Sequence, residues 1–114
     1  MVKNLWIAVA SLAFMCCSPQ SQLIVVNESN VELRDFVASG SGFSQRLGTI
    51  APHTERRVAI HSRSESALEV RFKAGERVVS SGPDGYFEGF GGYRITATVW
   101  QDLHVTVKSE LPSF

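Results

Sequence analysis

The chain has no cysteine after residue 17 and no apolar run long enough to cross a bilayer. Its two cysteines, Cys16 and Cys17, are adjacent. Adjacent cysteines can close only a strained ring, because a disulfide needs its two Cα atoms well apart. The sequence therefore excludes a domain that is stabilised by internal disulfide bonds. An exported domain in this chain must be stabilised by its hydrophobic core.

The chain also lacks a net charge, because 11 Lys and Arg balance 11 Asp and Glu. Without a basic excess, nothing attracts nucleic acid, and we expect no nucleic-acid partner. The sequence has no Gly-rich, Lys-containing phosphate loop and no Gly-x-Ser-x-Gly motif between a strand and a helix. Its carboxylates are scattered over strands and turns. We therefore expect no enzymatic activity, no catalytic residue and no cofactor.

The three histidines do not form a metal-binding pattern. His53 and His61 lie on either side of one predicted strand, so their Cα atoms are about 26 Å apart if that segment is extended. They cannot share a metal ion. A site with His104 would require that folding bring it close to one of them, which the sequence spacing alone does not show. We predict no metal site.

The first residues have the composition of an export signal. Lys3 precedes an apolar run over residues 5–15 that is interrupted only by Ser11. As a helix this run spans about 16 Å, against about 30 Å for the hydrocarbon core of a bilayer. A charged start followed by a short apolar region is typical of a secretory signal. The alternative is an N-terminal helix buried in the domain.

The end of this run, residues 13–17, resembles the signal of bacterial lipoproteins, in which an apolar residue and two small residues precede a cysteine. The resemblance implies that the cysteine thiol receives a diacylglyceryl group, that the chain is cut before it, and that the new amine is acylated. We favour Cys17 as the lipidated residue, because the small Cys16 would then lie beside the cut. Lipidation of Cys16 would place bulky Met15 there, and this alternative stays open.

This assignment divides the chain into a signal over residues 1–16, a lipidated cysteine and tether over 17–22, and a domain over 23–114. Two or three acyl chains make membrane attachment effectively permanent. The tether residues 18–22 reach at most about 17 Å, so the domain lies close to the membrane. In the lipoprotein family, Ser18 after the cysteine implies the outer membrane, with the domain facing the periplasm.

From residue 23 onward the hydrophobic period is two. The clearest segment is 67–73, where Leu68, Val70 and Phe72 alternate with charged residues. Further strands are predicted over 23–26, 31–39, 43–47, 56–60, 78–79, 93–100 and 103–108. Turns are predicted at 40–42, 51–54 and 80–85, and the last two strands form a hairpin across 101–102. Short strands at this spacing indicate a sandwich or small barrel.

Three features together resemble small immunoglobulin-like domains of exported bacterial proteins. They are Asn27-x-Ser29 after the first strand, the segment 47–52 between two strands, and Tyr93 two residues before the inward-facing Ile95. The resemblance implies an all-β, immunoglobulin-like sandwich of seven to eight short strands after the signal helix. It also implies a structural tyrosine corner at Tyr93.

Residues 82–93 combine five glycines with aromatic side chains. Tyr86, Phe87 and Phe90 form a candidate binding loop, because aromatic side chains can stack on sugars or anchor a partner protein. Alternatively, two or three of these rings cover the open end of the sandwich. Trp100 is either a surface aromatic or a cover for the second face.

Residues 39–43, Ser-Gly-Ser-Gly-Phe, resemble the loop that lipoprotein inhibitors of lysozyme insert into the enzyme, although the disulfide cysteines of those inhibitors are missing here. A glycine-rich hairpin turn is the simpler interpretation. The charged residues are expected to form mixed ion pairs on a solvated face, with no dedicated anion patch. We therefore expect a non-enzymatic envelope lipoprotein that binds an unknown envelope protein or glycan. The alternative is a periplasmic inhibitor or immunity protein against a wall-degrading enzyme.

Overall fold

The computed structural model describes residues 20–88 and 92–111, which form a sandwich of two four-stranded sheets. Sheet 1 has the strand order β4-β1-β7-β8 and sheet 2 the order β3-β2-β5-β6. The predicted all-β sandwich is confirmed, and the predicted signal helix lies outside the described residues. The strands are β1 Ser21–Asn27, β2 Leu33–Gly40, β3 Phe43–Ile50, β4 Glu55–Ile60, β5 Ser66–Ala74, β6 Arg77–Phe87, β7 Arg94–Val99 and β8 Val105–Glu110.

The core lies between the sheets because most strands bury every second side chain. In β5 the buried residues Leu68, Val70 and Phe72 alternate with exposed charged ones. Phe72 stacks on Phe36 of β2 with the ring centroids 5.4 Å apart. Sheet 1 contributes smaller aliphatic side chains to the same core, among them Leu23, Val25, Ile60, Ile95, Ala97 and Val99.

Strand β1 lies inside sheet 1, antiparallel to β4 and parallel to β7. It begins at Ser21, two residues before the predicted start of the domain, so residues 21 and 22 belong to the sheet and not to the tether. Ser21 is fully buried because its hydroxyl donates to the carbonyl of Glu88 and accepts from the amide of Tyr93. A buried polar side chain is stable when both hydrogen-bonding roles are filled in this way.

The turn predicted at residues 80–85 is wrong, because these residues belong to the eleven-residue strand β6. Two irregularities in the β5–β6 register, between Ser66 and Val70, let the glycines and proline remain within the strand. Gly82 and Gly85 have φ angles of +105° and +74°. Glycine and proline are compatible with an edge strand where bulges interrupt the ladder.

The two ends of the sandwich differ in which loops they present. The end where β1 begins, here called the tether end, contains the Ser41-Gly42 turn, residues 61–65 and the end of β6. Because β7 is parallel to β1, its first residue Arg94 is at the tether end as well. The opposite, distal end contains the connections over residues 28–32, 51–54, 75–76 and 100–104.

Asn27 joins the two sheets at the distal end. Its side chain is fully buried, and Nδ2 lies 2.8 to 3.2 Å from the carbonyl oxygens of Val31, Ile50 and Ala51. Its Oδ1 accepts from the amide and the hydroxyl of Ser29. One amide group of sheet 1 thereby satisfies the backbone before β2 and at the end of β3, both in sheet 2.

Asn27→Ala should lower the free energy of unfolding by about 3 kcal/mol or more, because each buried group left without a partner costs about 1–3 kcal/mol. Asn27→Asp, nearly the same shape, should also destabilise, because a carboxylate oxygen would then face three carbonyl oxygens. Urea denaturation measures both effects. The matched control is Asn30→Ala, an exposed asparagine in the same connection, with an expected change within about 0.5 kcal/mol. Equal effects at the two positions would contradict the role of Asn27.

Gly85→Ala should destabilise more than Gly75→Ala. Both glycines have positive φ, so alanine is strained at either site by about 1–2 kcal/mol. A Cβ on Gly85 would also lie 2.8 Å from Cγ1 of Val107 on β8, whereas a Cβ on Gly75 would meet nothing within 4 Å. Overpacking adds about 1–3 kcal/mol. Equal unfolding free energies for the two variants would show that β6 and β8 are not in close contact.

Candidate functional site

The outer face of sheet 2 contains a groove of ≈ 490 Å³, with further depressions beside it that share Val37 in their lining. Its lining includes the short side chains of Ser39 on β2 and Ser80 on β6. Arg71 lines this groove, whereas Arg46 lines the adjoining depression at Gly48, and Val37 belongs to both linings. We call the combined set Val37, Ser39, Arg46, Glu69, Arg71 and Ser80 the Val37 groove.

Two arginines stand on opposite sides of Val37. Arg46 on β3 and Arg71 on β5 are each the direct cross-strand partner of Val37 on β2. Their Cα atoms are therefore about 10 Å apart, twice the spacing between neighbouring strands. Both side chains are exposed, and since cross-strand partners share a face, both rise from the outer surface of the sheet.

Several arginines elsewhere on the surface have a salt-bridge or hydrogen-bond partner, whereas the two arginines of the Val37 groove have none within the described residues. Arg57 pairs with Glu55 at 2.9 Å, and Arg34 and Arg56 donate to backbone carbonyls. Among the described residues, the ion pairs and side-chain hydrogen bonds involve neither Arg46 nor Arg71. The expected mixed ion pairs are thus present for Arg57, but the described residues show no such pair for Arg71.

Acidic residues flank the two arginines in both directions along the strands. Glu69 precedes Arg71 by two positions on β5 and has Ser39 as its cross-strand partner. Beyond the other end, Asp35 forms a salt bridge of 3.6 Å with Lys73. Asp35 has a φ of 51° and lies where the β2 register shifts, and this bulge turns it toward Lys73. Arg71 therefore lies between Glu69 in one direction along the strands and the Asp35–Lys73 pair in the other.

The aromatic candidates of the predicted binding loop have different environments. Tyr86 is 51% exposed, and its hydroxyl donates to Oε2 of Glu65 at 3.0 Å. That hydrogen bond raises the pKa of Tyr86 above its ordinary value. Phe87 is fully buried and packs on Phe43, so its assignment to a binding loop is wrong, because a core ring cannot contact a ligand. Phe90 lies outside the described residues.

Tyr93 packs its ring partly against the core at the tether end. Its hydroxyl donates to Oε2 of Glu88 at 3.5 Å, whereas a tyrosine corner uses a backbone acceptor. Desolvation and the neighbouring carboxylate of Glu88 raise the pKa of Tyr93. The tyrosine corner stays a prediction.

An aromatic pair occupies the distal end. Trp100 stacks on His104 with ring centroids 6.3 Å apart, and its indole N–H donates to the hydroxyl of Thr106. Of the two interpretations of Trp100, the surface aromatic fits its 40% exposure. His104 bonds Asp102 through Nδ1 at 2.5 Å, and this bond lowers the pKa of the Asp102 carboxyl.

The other two histidines lie at the two ends of β4. His53 lies in the turn before β4 and bonds Asn30, and His61 follows the end of β4. Within residues 20–88 and 92–111, no three His, Cys, Asp or Glu side chains are grouped so that they could hold a metal ion.

The remaining predicted positions concern the N-terminus and the Ser-Gly segment. Cys16 and Cys17 lie outside the described residues, as do residues 18 and 19 of the predicted tether. The described part of the chain contains no helix that is long and apolar enough to span a bilayer. Residues 39–43 form the β2–β3 hairpin turn, with Gly42 at a φ of +77°.

The sequence predicts the outward direction of some side chains of the Val37 groove but not of all. The alternation in residues 67–73 correctly places Glu69 and Arg71 on the outer face. Arg46 was missed because the predicted strand 43–47 has no clear alternation of its own. Its place opposite Val37 depends on the bulged register of β2, which leaves no pattern in the sequence.

Comparisons with known proteins define the fold and nothing further. No family model matches the sequence, and no curated protein matches it. A solved structure described as the NMR structure of the protein from Eubacterium rectale is similar, with a TM-score of 0.53 and 15% sequence identity. The match covers 83% of this chain and 90% of that one. At this identity the similarity concerns the fold alone.

Proposed function

We propose that this protein is a lipoprotein of the bacterial cell envelope that acts by binding rather than by catalysis. The observation on which this rests is the order of its parts. A charged residue, a short apolar run and Cys16-Cys17 are followed within a few residues by a β-sandwich. A lipid on Cys17 would attach this sandwich to the membrane.

The length of the connection supports a domain held against the membrane by its tether end. Because β1 begins at Ser21, residues 18–20 alone separate Cys17 from the sheet. Even fully extended, this connection spans about 14 Å from Cys17 to Ser21. The tether end would thus face the lipid, whereas the distal end and both sheet faces would be open to a partner in the periplasm.

The shape of the described surface supports binding. The Val37 groove is an open depression on a sheet face, in which Val37 lies among arginine, glutamate and serine side chains. Convergent polar groups of this kind orient the ligand in small-molecule binding sites. An immunoglobulin-like identity, which we also propose, agrees with the two packed sheets.

Inhibition of a wall-degrading enzyme through residues 39–43 is the weaker candidate. The Ser41-Gly42 turn lies at the tether end, where its backbone bonds Arg63 and Ser66. In the proposed attachment this turn would face the bilayer and could not enter the cleft of a soluble enzyme. The same geometry applies to Tyr86, which lies at the tether end next to Glu65.

Cys17→Ser should abolish both lipid attachment and removal of the signal, because serine offers no thiolate to accept the lipid. Metabolic labelling with an alkyne fatty acid reports attachment, and the mobility of the unprocessed precursor reports cleavage. The matched control is Cys16→Ser, which should leave both nearly intact, because serine is as small as cysteine beside the cut.

Two outcomes would change the assignment. If Cys16→Ser loses the label and Cys17→Ser keeps it, the lipid is on Cys16. If the natural chain takes up no label, or if a variant with both cysteines replaced is labelled as the natural chain is, the protein is not a lipoprotein of this type.

A further inference from the structure

The unusual feature of the outer face of sheet 2 is the pair of arginines on either side of Val37. Arg57 and Arg34 bond a carboxylate and a carbonyl, whereas the side chains of Arg46 and Arg71 have no such partner among the described residues, a state they share with other surface arginines. What distinguishes Arg46 and Arg71 is their register, because they flank Val37 on the same face of the sheet. Two like charges placed together repel each other, and an anion between them would remove that repulsion.

The distances allow both guanidinium groups to bind one anion. The two Cα atoms are about 10 Å apart, and each side chain begins on the same face of the sheet. Each guanidinium presents parallel N–H donors that match the two oxygens of a carboxylate or phosphate group. Ser80 is the cross-strand partner of Arg71, and its hydroxyl supplies a further donor beside the same space.

We propose that the Val37 groove binds a small oxyanion, the carboxylate or phosphate group of a soluble molecule, between Arg46 and Arg71. This proposal deepens the binding role proposed above and rests on it. The apolar floor at Val37 contacts the carbon skeleton next to the anionic group. Ser39 and Ser80 bond the remaining polar groups of the ligand.

The acidic residues explain why the ligand is small. Glu69 lies beside Arg71 in one direction along the strands, and the Asp35–Lys73 pair lies in the other direction. A long polyanion laid over this face would bring its outer charges against Glu69 or Asp35, at an energetic cost. The site therefore suits a short anion that fits between the arginines, and nucleic acids and other long polyanions are poor ligands.

The test uses the full-length protein in a non-ionic detergent at low salt, titrated by calorimetry with citrate and, separately, with pyrophosphate. We expect at least one of them to bind with a Kd of about 1 mM or tighter. Arg46→Gln and Arg71→Gln should each weaken that binding about tenfold or more, because one of two charge-assisted contacts is lost. Glu69→Gln should tighten it several-fold. A preference for citrate indicates a carboxylate ligand, and a preference for pyrophosphate indicates a phosphate.

The matched control is Arg57→Gln on sheet 1, which removes the same charge from an arginine that pairs with Glu55. This variant should bind as the natural protein does. Binding of neither anion below about 10 mM overturns the proposal. An equal loss in Arg57→Gln also overturns it, because the attraction would then reflect net charge alone. Cooperative unfolding of each variant verifies that the sheet is intact.

The titration does not depend on the lipid, so its failure is distinct from a failure of the lipoprotein assignment. Fatty-acid labelling decides attachment, and the calorimetric titration decides the ligand class. If the protein carries lipid but binds neither anion, the lipoprotein assignment stands and the anion site in the Val37 groove is disproved.

Discussion

The buried amide of Asn27 is the contact on which the arrangement of the two sheets depends. Three of its five hydrogen bonds join the end of β1 in sheet 1 to the backbone that flanks β2 and β3 in sheet 2, and the other two hold Ser29 in the connection after β1. Sandwich faces packed by aliphatic side chains alone can slide, because hydrophobic contact is not directional. A fully satisfied polar group allows one alignment, since any shift leaves buried carbonyls without a donor. The connection over residues 28–32 is folded around this amide, and β2 begins from it.

The alternation of side chains accounts for how much of the fold the sequence could predict. Leu68, Val70 and Phe72 alternate with charges, and the structure places them inside as predicted. Residues 80–85 were misassigned because Gly-Pro-Asp-Gly suits a turn and a bulged edge strand equally well. Only the partner strand distinguishes the two, through the irregular register opposite Ser66 to Val70. The parallel pairing of β1 with β7 is likewise a long-range choice that no local pattern records.

The candidate site is predictable to a similar degree. The outward direction of Arg71 follows from its strand, but the approach of Arg46 requires the exact register across β2. That register is interrupted at Asp35, whose left-handed backbone shifts the pairing between Leu33 and Val37. Arg46 is a residue of the site that the sequence did not predict, whereas Phe87 is a core residue that was assigned to a binding loop. The glycines around Phe87 suggested an exposed loop, but its ring packs in the core beside Phe43. Chemistry that depends on cross-strand neighbours therefore needs the fold, whereas the lipoprotein hypothesis rests on a linear motif.

The central claim is that the sandwich is attached by its tether end, so that the distal end points away from the membrane. A processed lipoprotein would retain Trp100 as its one tryptophan, because Trp6 lies in the signal segment. The direct measurement is quenching of tryptophan fluorescence in vesicles that contain phospholipid spin-labelled at the headgroup. The account predicts little quenching of Trp100 at the distal end, and strong quenching in a Trp100→Phe, Arg63→Trp double variant, whose tryptophan lies at the tether end. Quenching of Trp100 as strong as that of the double variant would contradict the proposed orientation.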